Sequence, residues 1–202
     1  MRSRYLTDSE LAAIRQALHP SLWLPFQVAI ETGLRVGDVA ALRWVDLKGR
    51  TITYTAQKTK KRGKAVLGNG TAAALAAVRR GSRSPWLFPS PKAAEKHITR
   101  QALWRRLKDA AVRAGVAVDG TSPHSLRKVY GAELFKREGL EAARAGLQHS
   151  DLLTTEIYAL SDWTTGENAK EPLLRRDLGR ILRILADWMK IPLDKPPAAV
   201  VE

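Results

Sequence analysis

The spacing of apolar residues changes period early in this sequence, and the change limits the folds that the chain can form. Three opening segments, "YLTDSELAAIRQAL", "SLWLPFQVAIETG" and "RVGDVAALRW", carry apolar residues at helical intervals. "RTITYTAQ" then alternates with β-branched residues, and "KAVLG" follows the basic turn "KTKKRG", which predicts a small antiparallel hairpin or sheet. Helical spacing returns from "TAAALAAVRRG" onward. We therefore expect an α+β domain that is mainly α, with a small antiparallel sheet.

Local signals place several helix boundaries. Thr7 stands three residues before Glu10, which is the spacing of a capping box, and Gly33 is expected to end the second helix. In "TSPHSLRKVYGAELFKREG" a Ser or Thr cap precedes Pro123 at a first-turn position, and Gly139 ends the helix. "LEAARAG" and "SDLLTTEIYAL" predict two further helices. The third opening segment places four residues on its apolar side: Val36, Val39, Ala40 and Leu42.

The charge balance indicates a polyanionic partner. The chain has 202 residues, 45% of them apolar, a net charge of +14 and a pI near 10.4, so nucleic acid is the expected partner and a passive basic protein is the alternative. The absence of cysteine excludes disulfides and thiolate zinc sites. No signal peptide and no run of 18 apolar residues occurs, so we expect a soluble intracellular protein. The histidines are too few to suggest a metal site: His19, His97, His124 and His149.

Two motifs carry residues suited to a phosphate. In "HSLR", His124 and Arg127 are three apart on one helix and therefore share a face, where a guanidinium fork and an imidazole suit an oxyanion. Arg35 lies between a helix-ending glycine and the next helix, which also suits phosphate binding. Taken alone, each motif is more often a helix cap or a solvated arginine.

The basic turn offers a third set of cations. Lys58 lies where the strand pattern gives way to the turn, so its flexible ammonium could reach into a cleft. The residues that follow predict nonspecific phosphate contacts or a simple solvated turn: Lys60, Lys61, Arg62 and Lys64.

Taken together, these segments resemble the tyrosine recombinases of the phage-integrase family. "TGLRVGDVAALRW", "QKTKKRGKAVL", "WLFPS", "HSLR", "GLQHSD" and Tyr158 occur in the order of that family, over roughly residues 5–162. The resemblance implies a metal-independent and cofactor-free transesterification, in which Tyr158 attacks a DNA phosphate and leaves a 3′-phosphotyrosyl link. A free phenol has a pKa near 10, so the nucleophile needs a site that accepts its proton.

Carried over residue by residue, the resemblance implies five further roles. Arg35 and Arg127 would clamp the non-bridging oxygens, and Lys58 would be the general acid for the leaving 5′-oxygen. His124 would assist proton transfer with the nucleophile, and His149 would hydrogen-bond the scissile phosphate.

The sequence departs from the family pattern at three positions. Lys128 replaces a second histidine after the arginine and is expected to contact DNA, Gln148 replaces a common glycine, and Asp38 replaces the more usual glutamate that supports the arginine helix. None of these changes removes a group that would touch the phosphate, so activity is expected.

The resemblance also implies how the chain is divided. Residues 1–170 would form the catalytic domain, residues 171–190 a C-terminal helix and residues 191–202 a disordered tail. The helix could pack on its own domain or dock on a neighbouring protomer, and the sequence leaves both interpretations open. Its apolar face consists of Leu174, Leu178, Ile181, Leu182, Leu185 and Trp188.

The expected partners follow from the same resemblance. They are double-stranded DNA, a homo-oligomer (a tetramer) on DNA and accessory DNA-bending proteins, without a membrane. Because the capping box begins at residue 7, we expect this sequence to lack the family's core-binding domain, either as the catalytic part of a longer protein or as a relative of the short invertase-type members. We therefore expect weak or nonspecific DNA binding by this chain alone. The expected location is the cytoplasm, at the nucleoid, with a phage or mobile-element origin.

Three functions are compatible with these residues. A site-specific recombinase or integrase is the leading interpretation, and a type IB topoisomerase-like enzyme shares its chemical groups. A non-catalytic DNA-binding regulator derived from the family is the third. The short chain and "HSDLLTTEIY" favour the recombinase over the topoisomerase, and the complete set of six catalytic residues argues against a regulator.

Overall fold

The computed structural model describes residues 3–147, apart from the side chains of residues 20, 21, 140, 141 and 144. The helices in this part of the chain are α1 (Asp8–Gln16), α2 (Pro20–Thr32), α3 (Val36–Ala40), α4 (Asn69–Gly81), α5 (Arg100–Arg113), α6 (Pro123–Glu138) and α7 (Leu140–Leu147). The strands are β1 (Leu47–Lys48), β2 (Thr51–Thr55), β3 (Arg62–Val66), β4 (Pro89–Ser90) and β5 (Ala93–His97). The expected fold class, mainly α with a small antiparallel sheet, is confirmed.

Several predicted elements fall outside the described residues. These are the helix "SDLLTTEIYAL", the C-terminal helix at 171–190 and the tail at 191–202. Among the helices that are described, none combines the length and the apolar character that crossing a membrane requires.

The predicted capping signals form the expected hydrogen bonds. The hydroxyl of Thr7 accepts from the backbone N–H of Glu10 at 3.3 Å, and the Glu10 carboxylate accepts from the N–H of Thr7 at 3.0 Å. Pro123 occupies the first turn of α6 behind the N-cap Ser122, and Gly139 follows its last residue. These boundaries are set by local hydrogen bonds, which explains why the sequence predicts them.

The third helix is shorter than its apolar spacing predicts. Residues Val36–Ala40 are helical, and the chain then leaves the helix to pair with a distant segment. The N–H of Leu87 donates to the carbonyl of Leu42 at 2.9 Å, and the N–H of Trp44 donates to the carbonyl of Pro85 at 3.0 Å. All four residues of the predicted apolar side are nevertheless buried: Val36, Val39, Ala40 and Leu42.

The predicted hairpin is part of a three-stranded antiparallel sheet in the order β1-β2-β3. Thr51 pairs with Val66 at one end of β2–β3, and Thr55 pairs with Arg62 at the other. A second sheet, β4–β5, was not predicted. Its sequence "PSPKAAEKH" contains two prolines and no alternation of polar and apolar residues, so it lacks the usual strand signal.

One apolar core joins the helices to the larger sheet. Its fully buried side chains include Phe26 on α2, Ile52 on β2, Leu103 and Leu107 on α5, and Leu126 on α6. Burying a side chain of this size contributes about 1.5–3 kcal/mol. Because each element is anchored in the same core, the polar residues next to these anchors are held in fixed relative positions.

Gly33 ends α2 in a conformation that only glycine adopts readily. Its φ is +64°, and a Cβ at this position would collide with the ring of Tyr130. Gly115, with φ +67°, provides a matched control because nothing lies within 4 Å of the place its Cβ would take. A left-handed residue other than glycine costs about 1–2 kcal/mol, and overpacking adds about 1–3 kcal/mol.

We therefore predict that Gly33→Ala lowers the free energy of unfolding more than Gly115→Ala does. The additional loss should be about 1–3 kcal/mol, since only the first variant overpacks. Urea unfolding followed by circular dichroism measures both. Equal losses would show that Tyr130 moves aside without a penalty.

Candidate active site

A cleft of about 860 Å³ lies among α3, the β2–β3 turn, α5 and the start of α6. Four of the six predicted catalytic residues line it, and they come from segments that are far apart in the sequence: Arg35, Lys58, His124 and Arg127. The other two, His149 and Tyr158, lie outside the described residues. The cleft therefore collects cationic side chains and one imidazole around a space large enough for a phosphate group.

Arg127 is the most buried charged group of the cleft, with 5% of its surface exposed. One terminal nitrogen of its guanidinium donates to the carbonyl of Gly33, and the other donates to the carbonyl of Leu147. A buried charge is stable only when it is hydrogen-bonded, and these carbonyls accept from both terminal nitrogens. The two bonds use two of the five N–H donors that a guanidinium carries.

Arg35 enters the cleft immediately after the turn at Gly33. It is the N-cap residue of α3, with φ −63° and ψ 140°, and its side chain is half-buried. The prediction that it stands between two helices is confirmed. Because α3 has only five residues, Arg35 acts mainly through its own charge rather than through a helix dipole.

Lys58 is exposed and belongs to the turn that follows β2. The neighbouring Gln57 is fixed to α3, since its backbone N–H donates to the carboxylate of Asp38 at 2.9 Å. Asp38 itself is buried at 7% exposure. Asp38 stands where the family usually has a glutamate that supports the helix after Arg35. In this chain its carboxylate also holds the residue that precedes Lys58.

His124 follows Pro123 in the first turn of α6 and opens toward the cleft. Desolvation lowers the pKa of its imidazole below the usual 6.5, and the positive charges of Arg127, Lys128 and Arg35 lower it further. The imidazole is therefore mainly neutral at pH 7. A neutral imidazole can accept a proton from a nucleophile, which a charged one cannot.

The other predicted DNA-binding cations lie away from the cleft lining. Lys128 is half-buried, and its ammonium donates to the carbonyl of Ser3. The cations of the β2–β3 turn and of β3 are all exposed: Lys60, Lys61, Arg62 and Lys64. Contact between these residues and DNA remains a prediction.

One wall of the cleft was not predicted from the sequence. It consists of residues at the end of β5 and on α5: His97, Arg100, Gln101 and Trp104. Trp104 is 45% exposed, and the ammonium of Lys108 lies 4.8 Å from the centre of its indole ring. The available signal was an aromatic residue four positions after an arginine on a capped helix, in "TRQALW".

His97 in this wall has a defined orientation. Its Nδ1 lies 2.7 Å from the carbonyl oxygen of Ile98, and its ring meets Trp86 edge-on at 4.9 Å. Among residues 3–147, no three histidine, aspartate or glutamate side chains are grouped as metal ligands.

Fold and cleft together define a mainly helical α+β domain built around a cationic cleft. The sequence profile of the phage integrase family matches residues 4–164, which is most of the chain. The chain belongs to this family, and the resemblance seen in its motifs is confirmed.

Individual relatives match shorter segments. The chain is 35% identical to the tyrosine recombinase XerD of Rhizobium meliloti over 134 residues, which are 63% of this chain and 43% of the relative. It is 45% identical to XerD of Agrobacterium fabrum over 78 residues, which are 38% of this chain and 23% of that protein. The chain thus spans less than half the length of these curated relatives.

Two solved structures show the same fold. The crystal structure of XerA recombinase superposes with a TM-score of 0.68 at 19% identity, covering 95% of this chain and 65% of that one. The crystal structure of a lambda integrase (75–356) dimer bound to a COC′ core site superposes with a TM-score of 0.67 at 20% identity, covering 85% of this chain and 62% of that one.

The pKa of His124 can be tested directly. We predict that its imidazole titrates below pH 6.5 in the DNA-free protein, and that Lys128→Gln raises the pKa by removing a positive charge. NMR of the ring protons measures both, and Lys136→Gln, at an exposed position on the same helix, serves as the control.

The lowered pKa of His124 also determines how its contribution to stability changes with pH. Because the folded pKa is the lower one, the unfolded chain binds more protons between the two pKa values, so the contribution of His124 to stability is lost as the pH falls below 6.5. A pKa at or above 6.5 in the free protein would contradict this account.

The link between Asp38 and Gln57 gives a second prediction. Asp38→Ala removes a charged acceptor, and such hydrogen bonds contribute about 1.5–3 kcal/mol. We expect the Gln57 amide to exchange with solvent about 10–100-fold faster, measured by hydrogen exchange. Asp46→Ala is the control because it removes a similar bond, from the N–H of Arg43 at 2.8 Å, and should leave Gln57 unchanged.

Proposed function

We propose that this chain is the catalytic domain of a site-specific DNA recombinase that breaks and rejoins strands through a 3′-phosphotyrosyl intermediate. The observation that carries the proposal is the convergence of four predicted catalytic residues on one cleft. They come from the turn before α3, the β2–β3 turn and two positions on α6: Arg35, Lys58, His124 and Arg127. Membership of the phage integrase family supports the same chemistry.

The cleft residues suit the two charges that develop during the reaction. Negative charge grows on the non-bridging oxygens of the phosphate, where Arg35 and Arg127 supply permanent positive charge. The leaving 5′-oxygen needs a proton, and Lys58 carries one on a flexible side chain. The neutral imidazole of His124 would accept the phenol proton.

Two groups of the proposed mechanism come from beyond the described residues. Tyr158 is the proposed nucleophile, and His149 is proposed to hydrogen-bond the scissile phosphate; both roles follow from the family pattern. The exchange of one phosphodiester for a phosphotyrosyl ester conserves bond energy, so the reaction requires no nucleotide hydrolysis. The protein need only position the phosphate and move two protons.

The proposed partner is duplex DNA, and the proposed working form is a homo-oligomer on that DNA. The net charge of +14 supports binding to a polyanion. The similar lambda integrase has been seen as a dimer on a COC′ core site and as a tetramer bound to a Holliday junction. By analogy we propose a tetramer here, in which residues 171–190 dock on a neighbouring protomer, with accessory DNA-bending proteins as further partners.

Covalent trapping tests the proposed activity. We would incubate the chain in EDTA with nicked suicide duplexes derived from the DNA that flanks its own gene. A denaturing gel should show a protein–DNA adduct that is absent with Tyr158→Phe. Arg35→Gln should slow its formation by about 10²–10³-fold, since it removes one stabilising donor.

Lys92→Gln provides the matched control for charge, because Lys92 is exposed and does not line the cleft. It should form the adduct at the wild-type rate. DNA binding without any adduct, in the chain and in a longer form with a DNA-clamping domain, would reject the recombinase in favour of a non-catalytic binder.

A further inference from the structure

Tyr130 lies on the same face of α6 as Arg127, because the two residues are three positions apart. Its side chain is half-buried and does not line the cleft. Its ring packs directly against the backbone at Gly33. Its hydroxyl oxygen lies only 2.7 Å from the place that a Cβ on Gly146 would take. The ring therefore lies against the backbone at the end of α2 and against the backbone of α7.

These two contacts lie at or next to the two backbone carbonyls that accept hydrogen bonds from Arg127. The guanidinium donates to the carbonyl of Gly33, which the ring touches, and to the carbonyl of Leu147, which follows Gly146 in the chain. The ring and the guanidinium thus bridge the same two backbone segments. The ring contacts both segments, and the guanidinium bonds to both.

The sequence around the ring is suited to this close approach. Gly33 and Gly146 both lack a Cβ, so an aromatic ring can lie against both backbones at once. Gly131, the residue after Tyr130, likewise admits the side chain of Leu147, whose Cδ1 lies 2.8 Å from the place of its missing Cβ. Three glycines therefore bring α2, α6 and α7 together around a single aromatic residue.

We propose that Tyr130 is a positioning residue, whose ring holds the carbonyls of Gly33 and Leu147 at the separation that orients the guanidinium of Arg127 toward the cleft. The consequence for strand cleavage rests on the proposed function, whereas the orientation of Arg127 does not. A smaller side chain would let the two segments approach each other, and the carbonyls would no longer match the guanidinium. Misplacement of a phosphate-binding group by about 1 Å can slow a reaction about 10²-fold.

The orientation of Arg127 can be observed without DNA. Carbonyls that hold both terminal nitrogens slow the rotation of the guanidinium NH₂ groups, and NMR of arginine labelled with ¹⁵N detects this. We expect slow rotation at Arg127 in the wild type and in Tyr130→Phe, which keeps the ring, and fast rotation in Tyr130→Leu.

Arg4 serves as the internal reference in every sample. Its guanidinium bonds to Glu10 and to the carbonyls of Tyr5 and Ala117, away from α7, so its signals should not change. If Tyr130 only filled space, Tyr130→Leu would lower the melting temperature while Arg127 kept its slow rotation. That result would overturn the proposal.

A second variant covers the case in which Tyr130→Leu does not fold. Gly146→Ala places a methyl group 2.5 Å from Cδ2 of Leu134 and 2.7 Å from the hydroxyl oxygen of Tyr130, so it pushes on the ring as well as on Leu134 and should speed rotation at Arg127. Adding Tyr130→Phe relieves only the contact with the hydroxyl and should restore part of the slow rotation. Unchanged rotation at Arg127 in Gly146→Ala would also overturn the proposal.

Trapping on DNA then separates this inference from the proposed function. Tyr130→Leu should form the covalent adduct at least about tenfold more slowly at saturating DNA, with the DNA affinity within about twofold of wild type. Tyr130→Phe should react at the wild-type rate. A wild-type protein that forms no adduct, both as this chain and in a longer form with a DNA-clamping domain, would reject the recombinase, while the rotation of Arg127 would still decide the role of Tyr130.

Discussion

The hydrogen bonds of the Arg127 guanidinium tie the fold to the cleft. A permanent charge with only 5% of its surface exposed requires hydrogen-bond acceptors, and the carbonyls of Gly33 and Leu147 accept from its two terminal nitrogens. Those carbonyls close α2 and α7, so three helix segments meet at one cation. Breaking such a buried arrangement costs about 3–5 kcal/mol. The group proposed to bind the phosphate is therefore also one on which the packing of α2, α6 and α7 depends.

Positive charge in and near the cleft acts on the imidazole of His124. Arg127, Lys128 and Arg35 each act against protonation of His124, in addition to the effect of desolvation. A bound phosphate diester would offset this repulsion, and any ligand that binds only the folded state stabilises it. The same anion would also counteract the lowering of the His124 pKa. The pKa of the imidazole is therefore expected to depend on whether an anion occupies the cleft.

Local sequence signals predicted the elements that local forces determine. The capping box at Thr7 and the proline at the start of α6 involve residues within one helical turn, so the sequence alone identifies them. Features that depend on pairing between distant segments were not predicted from the sequence. The end of α3 depends on a bond between Leu42 and Leu87, and the partners of Arg127 lie 94 and 20 residues away. No local pattern encodes such distances, and the family pattern placed Arg127 at the phosphate without indicating what orients it.

The four predicted catalytic residues that line the cleft are not held equally firmly. Arg127 is fixed by two carbonyls, His124 by the capped first turn of α6 and Arg35 by the turn at Gly33. Lys58 is exposed, and the bond from Gln57 to Asp38 fixes only the base of its turn. The guanidinium of Arg127 is thus preorganised in the free protein, and the backbones of Arg35 and His124 are fixed, whereas the proposed general acid lies on an exposed turn. Since leaving-group protonation requires a proton donor within hydrogen-bonding distance, the proposed role of Lys58 requires that DNA binding complete the placement of its side chain. The β2–β3 turn is accordingly the part of the cleft whose side-chain positions we expect to change most when a substrate binds.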